Sequence, residues 1–265
     1  MKKFLALLLC LTLTLTAVIT LVSCSKDGSG TGGDDIDLSA GSVEQYYETG
    51  NEYGDKFEYE IVNGDEIAII GFAGSHTPHA ITVPAVIDER DVTTIAVGAF
   101  YQLSNISSVT LPNSVTTVKD LAFAGCTALT SVTLSTATVT LGEGVFSGCT
   151  ALTAISLPAG ITAVPDRAFF GCVALESFTA PGALSIGEQA FMNCVKLTAV
   201  SGCTALAKVG NFAFFGCTVL NGFDFAAVTE IGNYAFTNCY ALAKPVLAET
   251  VTVGTNAFYI DSAAN

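Results

Sequence analysis

The clearest pattern in the chain is a short apolar motif that returns eight times between residues 100 and 258. Each copy places a phenylalanine 22 or 23 residues after the previous one, with an aliphatic residue five positions before it. A fixed period of this length predicts a solenoid, in which each repeat forms one coil and buries its apolar side against its neighbours. The phenylalanines expected in the core are Phe100, Phe123, Phe146, Phe169, Phe191, Phe214, Phe236 and Phe258.

The residues just before each phenylalanine predict a short helix. Three positions before it stands a residue that is in most copies a good helix N-cap, and two positions after it most copies have Gly or Asn, which favour the end of a helix. We therefore expect a helix of about one or two turns in each coil. The expected first residues are Asp120, Glu143, Asp166, Glu188, Asn211, Asn233 and Thr255.

After each predicted helix, the pattern Leu-x-x-Val-x-Leu indicates a strand, as at Leu129, Val132 and Leu134. The residues between these aliphatic positions point away from the core and form the candidate ligand face. A second short strand is expected on the other side of each coil, where Lys208 and Glu230 would pair between neighbouring coils. The candidate ligand face comprises Ser108, Thr110, Ser131, Thr133, Ser156, Ser177, Thr179, Ser201, Asp224 and Lys244.

The strings AFAGCTALTSVTL and AFFGCVALESFTAPGALSIGEQAF resemble the BspA-type, or treponemal-type, leucine-rich repeat of bacterial surface proteins. The resemblance covers about residues 81–258. It implies a leucine-rich repeat solenoid, and some members of the family are adhesins that bind host proteins. The predicted fold is therefore α/β but mainly β: a right-handed solenoid over residues 81–265, with coils of 22–23 residues, short helices and an N-terminal β-hairpin cap.

The N-terminal residues predict export and a lipid anchor. Lys2 and Lys3 precede an apolar run that ends in Leu-Val-Ser-Cys, which looks like a lipobox with Cys24 as the acylated residue. The alternative is a single membrane anchor. We expect residues 1–23 to be a lipoprotein signal peptide and residues 24–35, rich in Gly, Ser and Asp, a flexible tether. The expected location is extracytoplasmic, at the bacterial outer membrane or cell surface.

Residues 36–80 do not repeat and are predicted to cap the first coil. Asn63 and Gly64 lie between two apolar segments and indicate a β-hairpin. A solenoid needs such a cover because its open end exposes apolar surface and unpaired strand edges. The segment is also acidic, which suits a solvated outer face better than a cation site.

The net charge and the composition limit the classes of partner that the chain is expected to bind. The formal net charge is −14, and loss of residues 1–23 with their two lysines would make it −16. Such an acidic chain is not expected to bind nucleic acid. Charged residues make up only 13% of the sequence, which suits a stack of coils whose side chains are mostly buried or carry hydroxyls.

The cysteines and histidines of the sequence are interpreted as structural residues rather than as catalytic or metal-binding ones. Six cysteines lie three residues after a core phenylalanine, and we interpret each as a small buried side chain beside a turn. The alternative is that they form a ladder of disulfides or of metal ligands. Cys203 is the best candidate for an exposed thiol, although we expect it to be buried. His76 and His79 lack a third metal ligand. We find no catalytic motif, so we expect no enzyme activity, no cofactor and no metal. The six cysteines are Cys126, Cys149, Cys172, Cys194, Cys217 and Cys239.

These observations favour a protein-binding, adhesin-like scaffold that uses the ligand face. A carbohydrate-binding accessory is the first alternative and would need exposed aromatic platforms, and a spacer without a ligand is the second. The candidate aromatic residues are Tyr46, Tyr47, Tyr101, Tyr234, Tyr240 and Tyr259.

Overall fold

The computed structural model describes residues 45–261, which form short β-strands joined by turns. The predicted signal peptide, Cys24, the tether, residues 36–44 of the predicted cap and residues 262–265 lie outside this range. The strands are β1 Gln45–Glu48, β2 Lys56–Val62, β3 Glu66–Ala73, β4 His79–Thr82, β5 Val86–Ile87, β6 Arg90–Ile95, β7 Ile106–Thr110, β8 Thr117–Val118, β9 Ser131–Thr133, β10 Thr140–Leu141, β11 Ala154–Ser156, β12 Ala163–Val164, β13 Ser177–Thr179, β14 Ser185–Ile186, β15 Ala199–Ser201, β16 Lys208–Val209, β17 Glu230–Ile231 and β18 Thr252–Val253.

Successive coils stack through two parallel ladders of these strands, so the chain is a β-solenoid of about eight turns. The first ladder comprises β4-β7-β9 and β11-β13-β15. The second comprises β3-β6-β8-β10 and β12-β14-β16-β17-β18. Lys208 is in register with Glu230, and their charged groups lie 3.1 Å apart, which confirms the predicted pair.

The phenylalanine rings form a continuous stack through the core. From Phe100 to Phe258, adjacent rings have centroids 4.8–5.6 Å apart and planes within 15° of parallel. The first seven are fully buried, whereas Phe258 in the last coil is partly buried. The aliphatic position five residues before each ring is also buried, except at Val253, which is 46% exposed. The structure therefore bears out the apolar pattern coil by coil.

The predicted helices are wrong, because residues 45–261 contain no helix of any type. The backbone has positive φ at Leu121 (56°) and again at Gly125 (75°), on either side of the core ring. The N–H groups of residues 121, 123 and 125 donate to carbonyls of the next coil. Those of residues 122 and 124 donate to the carbonyl three residues earlier. A helix would direct all of them along its own axis, so bonding between coils and helix formation exclude each other here.

The N-terminal strands contain the hairpin that Asn63-Gly64 indicates. Both turn residues have positive φ, and β2 pairs with β3 in antiparallel register. β3 then pairs in parallel with β6, which places Ile69 opposite Ile95. The rings of Phe57 and Phe72 pack 6.4 and 5.7 Å from the ring of Phe100. The hairpin is thus continuous with the second ladder and with the aromatic core.

Candidate interaction surfaces

The candidate ligand face is built on the first ladder. Ser108 lies opposite Ser131 and Thr110 opposite Thr133, and farther along Thr179 lies opposite Ser201. Their side chains alternate with buried apolar residues and are exposed or half-buried. This result places eight of the ten predicted residues on one face, in rows that run from coil to coil.

Asp224 and Lys244 do not extend this face. After β15 the ladder is reduced to one bridge between Ala199 and Gly222, and no strand follows it on that side within residues 45–261. A carboxylate oxygen of Asp224 instead accepts a hydrogen bond from the N–H of Ala226. The flanking rings of Phe223 and Phe225 both pack on the core ring of Phe236.

Hydroxyl groups on and beside this face are partly used within the solenoid. The Oγ atoms of Thr179 and Ser201 are 2.9 Å apart, and Ser201 also donates to the carbonyl of Phe178. Thr130 and Thr198, at the edge of the face, each donate to a carbonyl of the preceding coil. These bonds tie coils together and reduce the number of groups available to a ligand.

The six repeated cysteines form a ladder of thiol donors. Each Sγ lies 3.0–3.1 Å from the carbonyl oxygen of the core phenylalanine one coil earlier. All are buried and unpaired, and burial raises the pKa of Cys126, Cys172 and Cys239 to about 12. Cys203 is also buried, and burial raises its pKa. These thiols are therefore structural rather than reactive.

His79, the first residue of β4, takes part in a polar cluster with residues of the loop between β1 and β2. Its Nε2 lies 2.8 Å from Oδ1 of Asp55, its Nδ1 lies 2.9 Å from the carbonyl of Thr77, and its ring stacks on Tyr53 at 4.1 Å. Asn51 donates a further hydrogen bond to Asp55. Residues 45–261 contain no group of three metal-ligating side chains. The cluster therefore ties the loop between β1 and β2 to the start of β4.

A second surface lies at the turns, beside the core rings, and we call it the turn-edge strip. Its members stand two residues before or one residue after a core phenylalanine. Arg167 and Gln189 are joined by a hydrogen bond of 3.0 Å, and the rings of Phe212 and Tyr234 stack at 5.0 Å. Arg167 is exposed and the others are half-buried. The strip comprises Arg167, Gln189, Phe212 and Tyr234 in one row and Phe170, Met192 and Phe215 in the other.

A family model for the BspA type leucine rich repeat region matches the chain at residues 79–198 and 182–264, with six copies. The chain belongs to this repeat family. The leucine-rich repeat protein of Treponema pallidum has a similar solved structure, with 26% identity and a TM-score of 0.66 over 71% of this chain and 88% of that one.

A second solved structure, a leucine-rich cell surface protein of Faecalibacterium prausnitzii, is 29% identical with a TM-score of 0.51. The alignment covers 64% of this chain and 42% of that protein. No curated protein shows significant similarity to the chain. Leucine-rich repeat proteins generally bind other proteins, so membership in the BspA-type family indicates a protein-interaction scaffold.

The sequence does not predict the turn-edge strip, because the residues of the strip occupy the segment of each BspA-type repeat that is predicted as a helix. In a helix, their side chains would point in several directions. In the observed turn, the same positions of successive coils lie side by side. Aligning the residues two before each phenylalanine would have shown the row.

No membrane-crossing helix occurs in the part of this BspA-type chain that the structure describes.

Proposed function

We propose that the chain is a lipid-anchored, extracytoplasmic scaffold that binds a protein ligand through the candidate ligand face. The observation that carries the proposal is the row of outward side chains on β7 and β9 and again on β11, β13 and β15, held in register within each sheet above an apolar core. Such a row offers a broad, pre-formed surface, so little ordering entropy opposes binding. The cell-surface description of the Faecalibacterium prausnitzii neighbour supports an extracytoplasmic location.

The proposed anchor depends on the N-terminal sequence. Two lysines precede an apolar run that ends at Ser23 and Cys24, as in a lipoprotein signal peptide. Acylation of Cys24 would hold the solenoid at the membrane through residues 24–35, and the outer membrane or cell surface is the proposed site.

We also propose that the N-terminal hairpin caps the solenoid. Its strand β3 occupies the edge of β6, and Phe57 and Phe72 cover the ring of Phe100. Both contacts protect groups that a bare first coil would expose to water.

Replacement of Cys24 by Ala tests the anchor. We expect cells that express C24A to lose acyl labelling and membrane retention of the chain. The matched control is Cys10→Ala, because Cys10 lies inside the predicted signal peptide and should not be acylated. Retained acyl label on C24A, or its loss from C10A alone, would contradict the assignment.

Ligand binding is tested with the lipid-free chain from residue 24 onwards. We expect it to retain specific proteins from host extracellular-matrix and cell extracts. The double variant Ser131→Arg/Ser177→Arg, which places bulky charges on the ligand face, should lose them. Thr136→Arg/Ala137→Arg adds the same two charges to exposed residues outside this face and serves as the control. Equal retention by all three chains would show that this face does not bind the ligand.

A further inference from the structure

We propose that the turn-edge strip is a second contact surface, whose aromatic end at Phe212, Phe215 and Tyr234 binds an uncharged, apolar segment of a polypeptide ligand. This inference rests on the proposed protein-binding function but concerns a different side of each coil. It is carried by three observations: an unfavourable backbone conformation, the residue types that adopt it and the local distribution of charge.

The backbone two residues before each core phenylalanine has positive φ in all eight coils. Glycine occupies this position at Gly98 and Gly144, and it adopts such a conformation without steric cost. In four consecutive coils the position instead carries Arg167, Gln189, Phe212 and Tyr234, with φ of 55–57°. Bulky residues are rare at positive φ, and such outliers cluster at functional sites. Leu121 and Asn256 adopt the same conformation in single coils, but only here do bulky side chains follow one another through four coils, which points to a role for the strip.

The residue types of the strip match those that dominate binding energy at protein interfaces. Arg, Tyr, Phe and Met are enriched at such interfaces, and Arg and Tyr are prominent among hot spots. The eight residues on the candidate ligand face, by contrast, are all Ser or Thr. In the strip, Phe212 contacts both Tyr234 and Phe215, with ring centroids 5.0 and 6.0 Å apart. These rings form one apolar cluster across two coils.

The charge beside the strip changes along the solenoid. The residues three before the core phenylalanine are acidic at Asp166 and Glu188 but neutral at Asn211 and Asn233. The aromatic cluster therefore lies beside the neutral end of this row. Burial of a charged ligand group there would leave it without a partner, so an uncharged apolar segment fits best.

Ring geometry favours a peptide over a glycan. The planes of Phe212 and Tyr234 are 8° apart and stack on each other, so each ring covers one face of its neighbour. A sugar platform needs open ring faces, whereas apolar peptide side chains can pack against the outward ring edges.

A purely structural role for the strip predicts a different outcome for the same variants. If the stack serves only to hold coils together, its removal will lower stability and leave ligand binding unchanged. If the strip binds ligand, glycine at positions 212 and 234 will relieve the unfavourable φ and leave the fold intact while binding falls.

The experiment selects binders from a phage-displayed random peptide library on the lipid-free wild-type chain. We expect apolar, uncharged consensus peptides whose synthetic forms bind Phe212→Gly/Tyr234→Gly at least about tenfold more weakly. Leu121→Gly is the matched control, because Leu121 has the same positive φ in the second coil, outside the strip. It should bind as the wild type does. Thermal unfolding of every variant is measured alongside.

A second double variant tests the strip at positions where the backbone conformation does not depend on glycine. Met192→Ser/Phe215→Ser changes the other row of the strip, where φ is not positive, and we expect a similar loss of peptide binding. Unchanged peptide binding by both double variants overturns the inference. If Ser131→Arg/Ser177→Arg abolishes that binding instead, the proposed function survives and the strip does not.

Two further outcomes would overturn the proposal that the strip binds a peptide. Failure to select any peptide, together with retention of no protein from extracts, refutes both the strip and the proposed function. Selective binding on a glycan array that Phe212→Gly/Tyr234→Gly abolishes would replace the peptide ligand with a sugar and overturn the inference.

Discussion

The backbone around each core phenylalanine explains most of the residue preferences in the repeat. Positive φ before and after the ring turns alternate N–H groups toward the next coil, and the ring itself points inward. Gly or Asn two residues after the ring, which we interpreted as a helix end, in fact serves this turn. The cysteine one position later donates its thiol to the carbonyl of the phenylalanine one coil earlier, as Cys172 does to Phe146.

Replacement of Phe169 by Ala should lower the free energy of unfolding by about 3–5 kcal/mol. Phe169 is fully buried, and its ring stacks between those of Phe146 and Phe191. The control is Phe170→Ala, because the adjacent side chain is half-buried. Urea unfolding followed by circular dichroism measures both, and equal losses would contradict the placement of Phe169.

Buried thiols should make the solenoid less stable at alkaline pH. Burial raises the pKa of Cys172 from 9.0 to about 12. Between these values the unfolded chain releases a proton that the folded chain keeps. The stabilisation is therefore complete below pH 9 and is lost as pH rises toward 12.

Urea unfolding at about pH 8 and pH 10 tests this effect against Cys172→Ala. The wild type should lose about 1.4 kcal/mol more than the variant over this interval, since one titrating thiol has been removed. Identical pH dependence of the two chains would show that the thiol is not protected by the fold.

Between coils, polar side chains form a ladder that replaces the predicted helix caps. Oδ1 of Asn211 accepts a hydrogen bond of 2.8 Å from the N–H of Asn233, the equivalent residue one coil later. Asp120, Asp166 and Asn233 do the same. Gly232 permits the close approach, because a Cβ there would lie 2.5 Å from the backbone nitrogen of Asn211. The N-cap residue types were thus recognised, but their partners lie about 22 residues away.

Asn211→Ala should lower the free energy of unfolding by about 0.5–1.5 kcal/mol, because it leaves the N–H of Asn233 without its acceptor. Asn211→Asp keeps an acceptor oxygen at the same position and should lose less. Chemical denaturation of the two variants gives the comparison. A larger loss for the aspartate variant would argue against the ladder as a source of stability.

Within residues 45–261, the strand ladders and the stack of core rings join each coil to the coils beside it. Stability in such an array is approximately a sum of coils and their interfaces. The BspA-type solenoid should therefore tolerate removal of a complete repeat better than removal of part of one.

Deletion of residues 124–146, one full period, should leave a folded chain with cooperative unfolding, because it joins equivalent positions after Phe123 and Phe146. Deletion of residues 124–134 removes about half a period and should abolish cooperative unfolding. Circular dichroism during thermal unfolding distinguishes the two. Cooperative unfolding of both, or of neither, would contradict stacking by nearest neighbours.

The sequence by itself determined the period, the core residues and the family, because burial of one apolar face per coil requires the same residue types at the same spacing. It also located the hairpin, because Asn63-Gly64 is a local signal. Only the tertiary structure decided how each turn bonds, because those hydrogen bonds join residues of successive coils and leave no local pattern. For the same reason, Phe212 and Tyr234 became neighbours only when the coils were stacked.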